Sequence, residues 1–406
     1  MKERSLILAL GLAGFVVMAD NWVVSPILPA IARAIGVPAA KAGLLITAYM
    51  IPFGLFQLVF GPLADRFGKK QIVGLSMVLF TLGTGLCGLA MGMVDLALYR
   101  GLTGVFAASV MPISIALIAD VVPMERRQAA IGTFMGIAFL GQGLSMAMGG
   151  AISHYMSWRG VFLTYAAFSV VSTALLLLVG RRAPSTKNPQ SEFLKPYIRL
   201  LGESRSLSLY SVVVLEGILI IGSFSYLGAL AEHRFHLSDL EIGLVLTGFG
   251  AGAVVTGRLV GKLVPRIGRS NAISLGLGAA ALADLILFSG KGRVPGLTVG
   301  VLLLGVGFML AHSTLLTLAT EFARAARGTA MSLVAFCFMG SGGVGTAIGG
   351  KLIGSMGYET FYGLYGVALL ALVILARKLV AVSPELEFLG RKAPHGPVAQ
   401  PERADQ

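Results

Sequence analysis

The chain has 406 residues, of which 56% are hydrophobic and 13% charged, with a formal net charge of +13. Soluble domains carry about 25% charged residues, so this composition and a mean hydropathy of +0.83 exclude an ordinary soluble protein and indicate a membrane protein. The basic residues are scattered between apolar runs and form no patch on a soluble segment, which excludes nucleic acid as a partner.

A bilayer core needs about 20 mostly apolar residues per helix. Runs of that kind predict spans at 5–32, 42–64, 71–93, 95–121, 129–154, 159–180, 207–230, 241–263, 271–289, 295–320, 329–354 and 358–380. The opening "MKERSLILALGLAGFVVMADNW" has the basic start of a signal peptide. Asp20 interrupts its apolar run and many similar runs follow, so it reads as a retained first span. The longest polar break, 181–206, divides the chain into a six-helix unit at 1–180 and a second at 207–380, with a polar tail at 381–406. The 54 glycines suit close packing of membrane helices. Cys87 and Cys337 lie inside apolar runs, with no His or Cys at metal-ligand spacing, and read as small packing residues. No metal site and no cofactor is expected.

Loop charges set the orientation. With both termini in the cytoplasm, that side gathers Lys2, Arg4, Arg66, Lys69, Lys70, Arg126 and Arg127, then Arg181, Arg182, Lys187, Lys195, Arg199 and Arg205. In the second half it gathers Lys262, Arg266, Arg269, Arg324, Arg327, Arg377 and Lys378. The other side keeps Arg33, Lys41, Arg159, Arg234, Lys291 and Arg293. Cytoplasmic loops are the basic ones, so a multi-pass protein of the cytoplasmic membrane with internal termini is expected.

The loop after span two reads "GPLADRFGKK", Gly61 to Lys70, and a worn copy, "GKLVPRIGRS", stands at Gly261 to Ser270. One shift of 200 residues aligns Asp65 with Pro265, Arg127 with Arg327, and Gly149-Gly150 with Gly349-Gly350. A duplicated six-helix unit follows, an arrangement found in transporters whose halves rock about a central site.

With that loop motif and two sets of six spans, residues 5–380 resemble the major facilitator superfamily. "YRGLTGVFAA", with Arg100 and Gly104, and "ADNWVVSPILP" are similar to the fourth- and first-helix patterns of its twelve-span drug:proton antiporter branch. The fifth helix departs from that branch, since Ser145-Met146-Ala147-Met148-Gly149-Gly150 lacks the usual Gly-Pro pair, and the eleventh lacks it too. The resemblance implies an all-α fold of two pseudo-symmetric bundles, and a loop that clamps them on the cytoplasmic face while the protein is open outward. Gly61, Asp65, Arg66, Gly68, Lys69 and Lys70 form this conformational switch, with Asp65 in the latch and the cations facing lipid headgroups. Gly149, Gly150, Gly349 and Gly350 are expected to pack helices.

A charge at mid-bilayer costs about 2.5–3.5 kcal/mol on insertion scales, so each one is a functional candidate. The resemblance places Asp20, Arg100, Glu216 and His312 on helices 1, 4, 7 and 10, which line the central cavity, and Asp284 on the ninth, behind it. Asp20, beside Asn21 and Trp22, either couples proton movement or forms a fixed ion pair with Arg100. Arg100 either tunes a carboxylate or attracts an anionic group, or it ties helices together. Glu216 either binds a cation or proton or reaches interfacial water. His312 is either a packing residue or a titratable gate, and Asp284 either pairs locally or reaches the outer interface. Trp22 is expected in an apolar cavity wall.

The expected function is secondary active transport by alternating access, as proton-coupled efflux of amphipathic small molecules or drugs, by a monomer. The alternatives are export or uptake of a metabolite such as a sugar, organic anion or lipid-like molecule, and a membrane sensor built on a transporter fold. No G-x-x-x-x-G-K-[ST] loop offers ATP drive. No zinc pattern or nucleophile context suggests an enzyme. A proton gradient is the expected driving force.

Overall fold

The structure is a computed structural model that describes residues 3–181, 195–289, 294–323 and 327–380. The basic positions Lys2, Arg182, Lys187, Lys291, Arg293 and Arg324, and the tail after Val380, lie outside the described residues, and of Arg327 only the backbone is described.

Among the described residues all regular structure is helical. Eleven helices are long and apolar enough to cross a membrane. The longest, Gly328–Leu379, is two passes folded at Gly357, whose φ of 79° suits a residue without Cβ. Its division yields the twelve spans expected from hydropathy, arranged as an all-α membrane protein of two six-helix bundles.

Proline explains the first span's interruption. Helix Glu3–Trp22 stops, Val23 turns, and Val24–Ile35 continues. Pro26 has no N–H to offer the Trp22 carbonyl, so the ladder fails there. Span seven, Ser204–Phe235, contains a π-helical turn at Gly217–Ile221, and span eleven contains another at Phe336–Gly340. Such turns are frequent at functional sites. Two boundaries differ from expectation: span seven begins at Ser204, and Lys195–Leu201 forms a helix inside the segment expected to be loop. Tyr197 anchors that helix by donating to the Leu58 carbonyl at 3.2 Å. Burial raises its hydroxyl above the ordinary phenol range, against a weaker lowering by the Ser332 side chain.

The duplication seen in the sequence recurs in three dimensions. Gly68 (φ 104°) and Gly268 (φ 85°) make the turns after spans two and eight, where a left-handed φ requires glycine. Lys69 pairs with Asp120 at 2.7 Å, and Arg269 pairs with Glu321 at the matching corner. Tyr165 donates to the Ser145 carbonyl at 3.1 Å, as Tyr365 does to Gly345 at 2.8 Å. A Cβ on Gly104 would sit 2.3 Å from the Tyr49 carbonyl oxygen, and one on Gly305 would sit 2.1 Å from that of Phe249. Backbones this close explain why glycine stands at both places.

The bundles meet most firmly at the end away from the termini. There Arg33, closing span one, pairs with Glu232 of span seven and, at 3.1 Å, with Asp239 of span eight. Ser153 of span five donates to the same Asp239 at 2.7 Å. Ser25 donates to the Phe224 carbonyl at 2.8 Å, and Tyr226 to the Ala40 carbonyl at 3.2 Å. Toward the terminal end, Gly61, Gly132 and Gly136 face open space.

Overpacking a filled site costs about 1–3 kcal/mol. Gly104→Val and Gly305→Val should therefore each lower the melting temperature in detergent, while Gly136→Ala should leave it unchanged. Equal melting of all three variants would contradict the packing described.

Candidate functional site

The break in span one sets the centre of the molecule, because its last helical turn carries Asp20, Asn21 and Trp22 together. Arg100, on span four (Met93–Val121), reaches Asp20. Its Nη1 donates to Asp20 Oδ2 at 2.7 Å, and its Nη2 lies 3.5 Å from the Asp20 carbonyl oxygen. Asp20 is 0% and Arg100 1% exposed. The guanidinium carbon lies 4.1 Å from the Tyr49 ring centroid and 5.7 Å from that of Phe162, so two aromatic faces replace part of its hydration. The pair is incompletely satisfied. Asp20 Oδ1, Arg100 Nε, both ends of the Asn21 amide, Trp22 Nε1 and the Tyr49 hydroxyl have no hydrogen-bond partner among the described residues. Buried polar atoms are nearly always paired, so this cluster marks a place where polar chemistry is handled.

A second pair stands in the other bundle. Glu216, the last residue before the π-helical turn of span seven, is fully buried, and its Oε2 lies 3.1 Å from His312 Nδ1 on span ten. Glu216 does not reach interfacial water. His312 is not an isolated packing residue: it is 18% exposed, paired with Glu216, and its ring lies 4.2 Å from Phe338 and 5.2 Å from Phe308. The π-helical turns bring these groups close, since a Cβ on Gly217 would sit 2.3 Å from the Phe338 carbonyl oxygen.

Aromatic rings join the two pairs. Trp22 meets Phe224 at 5.1 Å, Phe249 at 5.4 Å and Phe308 at 6.4 Å between centroids. Phe308 continues to Phe338 at 5.3 Å. Trp22 thus crosses from the first bundle into an aromatic cluster of the second. Phe249, Phe308 and Phe338 are additions to the residues singled out from sequence. Their signal was weak, because aromatics in membrane helices usually only pack.

The other candidates fall in distinct places. Gly149 and Gly150 face Val23 and Gly243, and Gly349 and Gly350 face Phe361 and Ala40. Gly150 and Gly350 therefore bring the two bundles into contact. In the loop motif Gly68 makes the turn, but Gly61 lies in open space and packs no helix. Asp65 makes no ion pair or hydrogen bond with a described residue, and Arg66 sits 5.9 Å over Phe67. Lys70 donates to the Arg181 carbonyl at 3.1 Å. Asp284 pairs locally, accepting from Ser223 Oγ at 2.5 Å, and does not reach the interface. No cluster of His, Cys, Asp and Glu among the described residues could hold a metal.

Two bundles closed on each other at one end, with buried polar pairs on opposite sides of their seam, are the frame of a membrane transporter. The family model of the Major Facilitator Superfamily matches residues 10–331 and 209–401, and the chain belongs to that family. It is 28% identical over 354 residues to the MFS-type transporter YceJ of Bacillus subtilis, covering 83% of this chain and 86% of that one. It is 28% identical over 198 residues to the multidrug resistance protein fnx1 of Schizosaccharomyces pombe, covering 48% of this chain and 36% of that one. The fold is shared with a bacterial homologue of the human lysosomal transporter Spinster, with a TM-score of 0.72, 18% identity and coverage of 95% and 96%.

Arginine keeps its proton, whereas an isolated buried carboxyl can neutralise itself by binding one. Asp20→Asn strands the cation and should cost about 3–5 kcal/mol. Arg100→Gln should cost less. Thermal unfolding in detergent that ranks the two in the opposite order would contradict this account of the pair.

Proposed function

We propose that the chain is a proton-coupled exporter of amphipathic small molecules, working as a monomer in the cytoplasmic membrane with both termini inside. The observation that carries the reading is the buried Asp20–Arg100 pair with its unpartnered polar atoms, its Asp20 sharing a helical turn with Trp22. Several features support the direction. Bundle-to-bundle hydrogen bonds gather at the far end, and open space surrounds Gly132 and Gly136 toward the termini, as suits a site reached from the cytoplasm. Trp22, Phe224, Phe249 and Phe308 pack against one another as a buried aromatic cluster, and a ligand that parts them would meet the apolar wall that amphipathic molecules need. The relative fnx1 is a multidrug resistance protein, and its likeness here adds weight to a drug-like substrate.

In the proposed cycle Asp20 holds a proton while Arg100 is drawn away and releases it when the pair forms; the paired arrangement described is the deprotonated state, which ligand binding selects from a protonated resting population. Arg100 cannot exchange a proton, so it acts by moving. Glu216 and His312 offer a second exchange point across the aromatic cluster. Asp65, Arg66, Lys69 and Lys70 engage when the cytoplasmic side closes, with the basic side chains near anionic headgroups. In the state described, Asp65 is accordingly without an ion-pair partner among the described residues.

The test is proton release in weakly buffered detergent on addition of lipophilic cations and neutral drugs. Binding is followed independently by Trp22 emission in a Trp158→Phe background. The wild type should release protons as the drug binds. Asp20→Asn, or Asp20→Asn with Arg100→Gln if the single variant is unstable, should bind without releasing them. Binding without release in the wild type would exclude antiport.

Arg33 supplies a check on the cycle. It is half-exposed, and an exposed ion pair contributes about 1 kcal/mol or less. Arg33→Ala should raise the population open at the far end by up to about fivefold. Spin labels at Ala34 and His236, read by pulsed dipolar spectroscopy, should then show more of a longer distance. An unchanged distribution would remove Arg33 from the gate.

A further inference from the structure

A groove of about 530 Å³ runs along the outside of the second bundle, between spans seven and twelve. Leu215, Ile218 and Leu219 form one wall, and the small side chains of Ala368 and Ala371 open the other. Lys378 is its single charged lining residue. Cavities of about 300–1,000 Å³ hold drug-sized ligands.

Its dimensions match one leaflet. Ala368 and Lys378 are ten residues apart on one helix, which is about 15 Å of rise. Half of a hydrocarbon core of about 30 Å is the same depth. The groove thus starts at a cation near the terminal-end membrane boundary and stays apolar to the midplane. The neighbouring cation is committed elsewhere: Arg377 donates to Ser274 Oγ at 2.8 Å and lies 3.4 Å from Asn271 Oδ1, on span nine. Lys378 is exposed and makes no ion pair with a described residue.

We propose that this groove is a binding site for one anionic diacyl phospholipid of the leaflet at the terminal end. An acyl chain lies on Leu215, Ile218, Leu219 and Ala371, and the phosphate pairs with Lys378. Cationic side chains at a membrane boundary attract anionic headgroups, and the apolar wall supplies what a free phosphate would not need. The wall also flanks Glu216 and Gly217, so a seated lipid presses on the π-helical turn that positions Glu216. The site is independent of the transported substrate and of which face is cytoplasmic.

The test is native mass spectrometry of the full chain in detergent with equal phosphatidylglycerol and phosphatidylcholine. The wild type should retain one phosphatidylglycerol in preference to phosphatidylcholine. Lys378→Gln should reduce that preference about fivefold, the equivalent of the ~1 kcal/mol contributed by a basic residue near an anionic surface. Ala371→Phe, which fills the groove, should lose the retained lipid altogether. Lys262→Gln, an exposed cation of span eight outside the groove, should change nothing. Equal uptake of both lipids by the wild type would overturn the proposal, as would equal effects of the two lysine variants or lipid retained by Ala371→Phe. A lipid-free dimer would assign the groove to a second copy of the chain and overturn it as well.

Discussion

Arg100 has no bulk water around it, and much of the central architecture follows from that constraint. A cation inside an apolar bundle is tolerated only with a counter-charge and close donors or aromatic faces. Asp20 supplies the charge, Tyr49 and Phe162 supply the faces, and Gly104 lets span four lie against the Tyr49 backbone so that the arginine can reach. The turn that holds Asp20 also holds Trp22, because Pro26 ends the helical ladder just beyond it. One interaction therefore fixes spans one, two, four and six around a common point, and aims an indole at the other bundle.

The second bundle answers with a different chemistry on the same frame. Its corners repeat those of the first, from Gly68 and Gly268 to Tyr165 and Tyr365, yet its internal polar pair is Glu216 with His312. Two π-helical turns, absent from the described part of the first bundle, bring spans seven and eleven together there. Duplication thus preserved the close backbone contacts, while the ionisable groups diverged. That division suits a transporter in which packing sets the motion and a few charges set what moves. In the proposed cycle, two unlike pairs on either side of an aromatic seam let proton exchange and ligand contact respond to each other.

Much of this was legible in the sequence, for identifiable reasons. Apolar runs of bilayer length gave the spans, and a constant shift of 200 residues exposed the repeat. Asp20 and Arg100 stood out because charges in apolar runs are rare. The pairing of Glu216 with His312 was hidden, since it joins residues 96 apart on different helices, and a lone histidine usually signals packing. The Arg33 network was hidden for the same reason: in sequence it is one outer-loop cation, and only the fold brings Glu232, Asp239 and Ser153 to it. The π-helical turns carry no proline to announce them. The helix at Lys195–Leu201 is hidden in the sequence because basic residues and a proline mask its short amphipathic pattern.

The central claim is that the Asp20 carboxyl changes its protonation state when a ligand occupies the site beside Trp22. Infrared difference spectroscopy of the protein in lipid, with and without a bound lipophilic cation, reads that carboxyl directly. The account predicts a protonated-carboxyl band that diminishes on binding and is missing from Asp20→Asn. A difference spectrum with no carboxyl band, or one whose band survives in Asp20→Asn, would leave the pair a structural tie and contradict the coupling assigned to it.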